Sequence, residues 1–388
     1  MPPIDHDADT AQLCEALGVT PDAVALRHRE PLGDGSVAGF EVTAVDGAAT
    51  VFLDSSRLPV PAETGLLHPD GVRAWTHPAD PHLPALAAVA FESSARTLLA
   101  RLGVAASAAP EIIGYRPGRR AVLRVGTDAG DVWVKVVRPH RAERIADIHT
   151  LLRAHGLPVP AVRAWSPHGL LVLDAAHGAP ALDVDLDADV LLDGVADLRQ
   201  RLAAVPFRVA ARTSLTARVP WYARRLASAL PGDGDLVERA VAAASDPDRA
   251  STDAAAPERG IHGDLHLGQL FVEPGTGTVT GLIDVDTAGA GVDADDSAAL
   301  IAHATASALL SPPAGAERRV AAAARTRWGH DARVAARTAV QLLGHALGAA
   351  DGGDPTRARR LLQFAIATAS PAAHPDEERP GARVRALS

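Results

Sequence analysis

Residues 111–139 read EIIGYRPGRRAVLRVGTDAGDVWVKVVRP. Three β-like runs, EIIGY, AVLRV and VWVKVV, are separated by the turn-forming stretches PGRR and TDAGD, and the last two runs read as a hairpin. RAERIADIHTLLRAH (141–155) follows with helical spacing and closes at Gly156. LPVPAVRAW and GLLVLD then return to strands. From about residue 190 the pattern is helical, with candidate helices at 189–204, 218–230, 235–245, 297–310, 316–325, 332–349 and 355–370. One interruption carries two short strands, LFV (270–272) and VTGLIDV (279–285), joined by the turn PGTG. A β-rich part followed by a helical part predicts an α+β chain with two lobes.

Upstream of this stretch, residues 10–18 read as a short helix. FEVTAV (40–45) and ATVFLD (49–54) read as a hairpin about Asp46 and Gly47, and HPADPHLP (77–84) as a connector. ALAAVAFESSARTLLARLG (85–103) reads as one helix ending at Gly103. The expected organisation is an extra N-terminal α/β cap domain over 1–100, a β-rich N-lobe over 101–180, a helical C-lobe over 181–372 and a loose, charged tail over 373–388.

Composition narrows the function classes. A formal net charge of −9 disfavours a broad polyanion-binding surface, so no nucleic-acid partner is expected. The single cysteine, Cys14, excludes an internal disulfide and a multi-cysteine zinc site. The segment MPPIDHDADT is acidic and lacks an apolar stretch, and no apolar run approaches the roughly 20 residues that span a bilayer. The expectation is a soluble, cytoplasmic protein with no membrane partner; the sequence leaves the oligomeric state open.

Two further stretches carry the chemistry, HGDLHLGQ (262–269) and LIDVD (282–286). Phosphoryl transfer needs a carboxylate to bind the acceptor hydroxyl and take its proton, metal ions to bridge the nucleotide phosphates, and a cation to neutralise phosphate charge. Asp264 is the candidate base and acceptor-binding group. Gln269 and Asp284 offer hard oxygens to Mg²⁺, and the hairpin is expected to return Asp284 toward Asp264 and Gln269. His262 is read as a structural residue that hydrogen-bonds the loop backbone. Lys135 is the only lysine in the chain and lies in the apolar strand VWVKVV, where alternation sets it on one face with Trp133 and Val137. A buried lysine requires an anionic partner, so Lys135 is the candidate phosphate clamp for ATP. Glu143, on the following helix, is its expected side-chain partner, with Asp147 in competition.

Asp286, Asp293, Asp295 and Asp296 follow in IDVDTAGAGVDADDSAAL. Asp296 is read as a structural cap of the next helix. The other three form a surplus that suits sugar hydroxyls and suits an ammonium better. Trp221, which precedes Tyr222 at a helix start, could stack on a sugar face.

HGDLHLGQ and IDVD resemble the HGDLHPGN and IDWE or IDFE stretches of the aminoglycoside phosphotransferase-like kinases, and GLPVPAV (156–162) and LLVLDAAHGAP (170–180) are similar to that family too. The resemblance covers about residues 110–350. It implies the bilobal protein-kinase-like fold, a base at Asp264, metal ligands at Gln269 and Asp284, and an interlobe linker whose backbone groups from Asp174 to Ala176 meet adenine. Gln269 departs from the family's Asn by one methylene. HLGQ, YRPGRRAVLR and the extra N-terminal domain are most similar to the actinobacterial glucosamine kinases and maltokinases, while IDVDTAGAG departs from the maltokinase pattern. The resemblance therefore implies an ATP- and Mg²⁺-dependent sugar kinase that converts glucosamine to glucosamine 6-phosphate. A maltokinase, an aminoglycoside phosphotransferase and a non-enzymatic, nucleotide-binding pseudokinase are the alternatives.

Overall fold

A computed structural model describes residues 6–44, 47–211, 215–245, 258–312 and 315–369. The tail expected over 373–388 lies outside the described residues. The chain divides into two compact units, Met1–Gly178 with Thr280–Asp286, and Ala179–Val279 with Thr287–Ser388.

The first unit holds two antiparallel sheets. The N-terminal one has the order β1-β2-β3-β5-β4, from β1 (Val24–Leu32), β2 (Gly35–Ala44), β3 (Gly47–Asp54), β4 (Leu66–Leu67) and β5 (Arg73–Thr76). Alternation sorts its residues. Ala38, Phe40, Val42, Val51 and Leu53 cluster with Leu13 of α1 (His6–Leu17) on one face. Val37, Phe52 and Trp75 occupy the other, against Tyr115. Strand β1 was not legible as a strand, because VALRHREPL has no clean alternation; its register with β2 runs from Val24↔Val42 to Leu32↔Gly35.

The segment read as one helix over 85–103 is two, α2 (Leu86–Ala90) and α3 (Glu92–Arg101), broken at Phe91 with φ −102° and ψ 136°. A continuous helix would set Leu99 about 140° round from Leu86. The break lets Leu86, Val89 and Leu99 join one apolar cluster.

The second sheet has the order β6-β7-β8-β10-β9, from β6 (Glu111–Arg116), β7 (Arg120–Val125), β8 (Val132–Val137), β9 (Val162–Ser166) and β10 (Leu170–Asp174), with α4 (Pro139–Ala154) between β8 and β9. Strand β8 is sandwiched. Val132, Val134 and Val136 pack toward Leu86, Val89 and Leu99, while Val137 packs with Ala142, Ile145 and Ala146 of α4. A strand covered on both faces reads as a near-continuous apolar run, and a lysine in that run is buried with it.

The second unit is built of helices α5 (Ala188–Ala203), α6 (Val219–Ala229), α7 (Gly234–Ala244), α8 (Ala294–Ala308), α9 (Ala316–Trp328), α10 (Ala332–Asp351) and α11 (Pro355–Ala369). Leu226, Val237, Leu342, Leu343, Leu361 and Leu362 belong to one apolar cluster of this unit, and buried alanines of α8 and α10 let neighbouring helices approach closely. Short strands frame its loops: β11 (Ala179–Pro180) pairs with β13 (Leu270–Val272), and β12 (Arg259–Ile261) pairs with β15 (Gly289–Gly291). The turn after β13 closes through Glu273 N–H donating to Thr278 O at 2.9 Å, and the chain then enters β14 (Val279–Leu282). No described helix is long and apolar enough to cross a membrane.

Candidate active site

In the first unit, Lys135 points from β8 to the α4 side of the sheet and is 6% exposed. Its Nζ donates to Asp284 Oδ1 at 2.8 Å and to Asp286 Oδ1 at 2.7 Å. Burial alone would lower the ammonium's pKa; the Asp286 and Asp284 carboxylates outweigh it and raise the value. The carboxylates reach Lys135 because their segment is stitched into this unit. Thr280 Oγ1 donates to His177 O at 2.9 Å, and Leu282 N–H donates to Pro158 O at 2.9 Å. Asp284 itself adopts the left-handed region, φ +57°, before a single 3₁₀ turn at Val285–Thr287. Left-handed backbone at a non-glycine residue is strained, and Asp is among the few that tolerate it.

Arg120, at the start of β7, donates from Nη1 to both Asp284 carboxylate oxygens at 3.0 Å. Burial pushes the Asp284 carboxyl up, but Lys135 and Arg120 hold it well below the usual carboxylate range. Nothing in the sequence reading selected Arg120. The available signal was the arginine pair in the turn PGRR, ahead of a strand whose neighbour carries the only lysine.

In the second unit, β12 delivers the chain to His262, which is fully buried. The backbone N–H groups of His262 and Gly263 donate to the two carboxylate oxygens of Asp296 at 2.9 and 2.8 Å, and Thr287 Oγ1 donates to His262 O at 2.8 Å. Gly263 is required where it stands. Its φ is +82°, and a Cβ there would lie 2.9 Å from Thr287 O. Asp264 follows with its carboxylate 27% exposed, open to a solute, and 3.8 Å from His303 Nε2. The His266 ring stacks on His303 at 4.4 Å between centroids, and His303 meets His345 edge-on at 4.4 Å. Gln269 is buried; its Oε1 accepts from His266 N–H at 3.1 Å, while His266 Nδ1 accepts from Gly268 N–H at 3.2 Å. This reciprocal capping box braces the loop just after Asp264.

Two expected results follow from this loop. Asp296→Ala leaves two loop N–H groups without their charged acceptor and should cost about 2–5 kcal/mol of stability, read as a lowered Tm, while Asp296→Asn retains one acceptor oxygen and loses less. The second concerns pH. Burial, with His303 and Arg357 nearby, pushes the His345 imidazole down to about 3. An unfolded imidazole takes its proton near 6.5. Between those values the unfolded chain binds the extra proton, so this group's contribution to stability falls as pH drops below about 6.5. From pH 7.5 to 5.5 the loss is on the order of 1 kcal/mol. His345→Gln should therefore lose less Tm than the wild type across that interval.

The model of the phosphotransferase enzyme family matches residues 115–335, more than half of the chain and inclusive of Arg120, Lys135, Asp264 and Asp284. The chain belongs to this phosphotransferase family. A search of curated proteins finds no match. Among solved structures, a thermostable mutant of aminoglycoside phosphotransferase APH(4)-Ia, in a ternary complex with ADP and hygromycin B, aligns with a TM-score of 0.51 and 15% identity over 72% of this chain and 98% of that one. Aminoglycoside phosphotransferase APH(3'')-Id from Streptomyces rimosus aligns with a TM-score of 0.46 and 23% identity over 65% of this chain and 97% of that one. APH(4)-Ia shares the architecture expected from the sequence, a sheet-rich N-terminal part and a helical C-terminal part.

Several expected residues of the phosphotransferase stand elsewhere than the sequence implied. Glu143 is exposed on α4, as is Asp147; Lys135 is satisfied instead by Asp284 and Asp286, so neither helix carboxylate is its partner. The three surplus carboxylates are each engaged by a cation. Asp286 holds Lys135, Asp295 accepts from Arg337 Nε at 2.6 Å, and Asp293 lies 3.7 Å from Arg333 Nη1. Asp286 and Asp295 are thus compensated, whereas Asp293, 45% exposed, shares Arg333 with Asp331. Asp296 sits inside the first turn of α8, not at its cap, and serves the His262–Gly263 backbone. Asp174 spends its N–H on Ala161 O at 2.9 Å and its carboxylate on Arg163, and Ala176 follows β10 outside any strand, partly buried. Trp221 is exposed at the start of α6, edge-on to the buried Tyr222.

Proposed function

We propose that the phosphotransferase is an ATP- and Mg²⁺-dependent kinase of a small sugar, with glucosamine as the first acceptor to test and glucosamine 6-phosphate as its product. The observation that carries the reading is the buried contact of the chain's only lysine with Asp284, in a chain whose family match contains both. The residues suit the nucleotide and its metal. Among the described residues no three His, Cys, Asp or Glu side chains converge to hold a metal ion. Mg²⁺ suits such a site, because it is ordinarily held by one or two carboxylates together with substrate phosphates and water. Asp284, 28% exposed, is the carboxylate that would hold it; the Gln269 amide oxygen already accepts from the His266 N–H. Mg²⁺-ATP, when bound, supplies the phosphoryl group and neutralises its charge. Lys135 neutralises phosphate charge, and the backbone at Ala176, outside any strand after β10, meets the base.

Asp264 accepts a hydrogen bond from the acceptor hydroxyl, aligns its oxygen and takes its proton as the new bond forms. Its open carboxylate and the bracing of the residues on either side favour that role. Recognition of the acceptor falls to Trp221, to neutral donors and acceptors and, for an ammonium, to Asp293, since Asp286 and Asp295 are already compensated. The test is ADP release with Mg-ATP against glucosamine, N-acetylglucosamine, glucose, maltose and kanamycin. Turnover on glucosamine supports the full reading. Turnover on maltose or kanamycin alone keeps the kinase and replaces the acceptor, and silence across the panel with nucleotide bound removes the kinase.

A further inference from the structure

Arg120, Asp284, Lys135 and Asp286 form a run of alternating cations and carboxylates, two of each. Its members differ in access. The side chains of Lys135 and Asp286 are 8% and 6% exposed, whereas that of Arg120 is 37% exposed and lies on the open side of Asp284. The Arg120 backbone is fixed from behind. The turn that precedes it is pinned by Asp80, a carboxylate 1% exposed, which accepts from Gly118 N–H at 2.7 Å and from Tyr115 Oη at 2.9 Å. Arg119, on the same turn, donates from its guanidinium to Pro31 O of β1. The Arg120 side chain is the more exposed partner of Asp284.

We propose that Arg120 is a phosphate-binding residue held in reserve on Asp284: when a nucleotide and its metal engage Asp284, the guanidinium transfers from that carboxylate to the polyphosphate. The inference rests on the kinase reading above. A metal ion added to Asp284 with Arg120 and Lys135 in place would set two further positive charges on a tetrad that is already neutral. The phosphate oxygens brought in with the metal are the anions that relieve this, and a guanidinium matches their geometry in bidentate fashion. In the absence of nucleotide the same side chain keeps Asp284 paired, so the carboxylate is not left half-buried and alone.

Binding of ADP and of adenosine to the full chain, by calorimetry in EDTA, tests this on wild type, Asp284→Asn, Arg120→Gln and the double variant. Asp284→Asn frees Arg120, so metal-free ADP should bind at least five-fold tighter than to wild type. In that background Arg120→Gln should weaken ADP at least ten-fold, with adenosine unchanged within two-fold, which also shows that the variants are folded. Arg120→Lys in the same background should recover part of the loss. An unchanged ADP affinity on Arg120→Gln in the Asp284→Asn background would overturn the proposal and leave Arg120 as a brace for Asp284. A wild type that binds neither ADP nor adenosine would instead overturn the nucleotide reading on which it rests.

Discussion

Lys135→Met should lower the Tm by roughly 6–20 °C and abolish phosphate transfer. The stability loss follows from what remains. Asp286 is 7% exposed, and its carboxylate is held by Lys135. Removing one partner of a buried pair costs about 3–5 kcal/mol, because the other charge stays buried without compensation. For a cooperative unit of about 200 residues, each kcal/mol moves the Tm by about 2–4 °C. Asp284 suffers less, since Arg120 still reaches both of its oxygens at 3.0 Å. The double variant Lys135→Met with Asp286→Leu removes both charges together and should regain most of the lost Tm while remaining inactive. Thermal unfolding of the wild type and three variants measures the coupling. A single Lys135→Met that melts like wild type would mean that the lysine and Asp286 carry no mutual energy.

The same tetrad shows where sequence reasoning stops. The strand that carries Lys135 was legible, because alternation and turn residues act over a handful of positions. That the lysine needs an anion was legible too, since the cost of burying an ammonium does not depend on the fold. Which anion was not. Glu143 was chosen because it is near in sequence, whereas the true partners lie 149 and 151 residues on and arrive through a segment stitched beside Pro158 and His177. Asp293 and Asp295 failed for the same reason. Four acidic residues in one stretch look like surplus charge until Arg333 and Arg337, about 40 residues away on α10, come into place. Arg120 had no local pattern beyond its turn, because its significance lies in the carboxylate opposite. The helices of the second unit were legible nearly to their ends, since each carries its own apolar periodicity. The break at Phe91 was hidden because both halves have helical composition and only the shared cluster under β7 and β8 demands the turn between them.

Asp264→Asn should reduce phosphate transfer by about 10²–10⁴-fold, the range expected when a positioned general base is lost. The amide keeps the shape and one acceptor oxygen but cannot take the hydroxyl proton. Its neighbours hold the loop without it: the His262 and Gly263 N–H groups stay on Asp296, and Gln269 stays on His266. The fold and the tetrad at Lys135 should therefore be unaffected, and the loss should fall on turnover while nucleotide affinity is retained.

The most direct measurement runs wild type and Asp264→Asn side by side, recording transfer of labelled γ-phosphate from Mg-ATP to the acceptor and, in the same preparations, the Kd for ADP. The account predicts a transfer rate at least 100-fold lower in the variant with an ADP Kd within about two-fold of wild type. Transfer at the wild-type rate would contradict it, because Asp264 would then not be the base around which the loop is built.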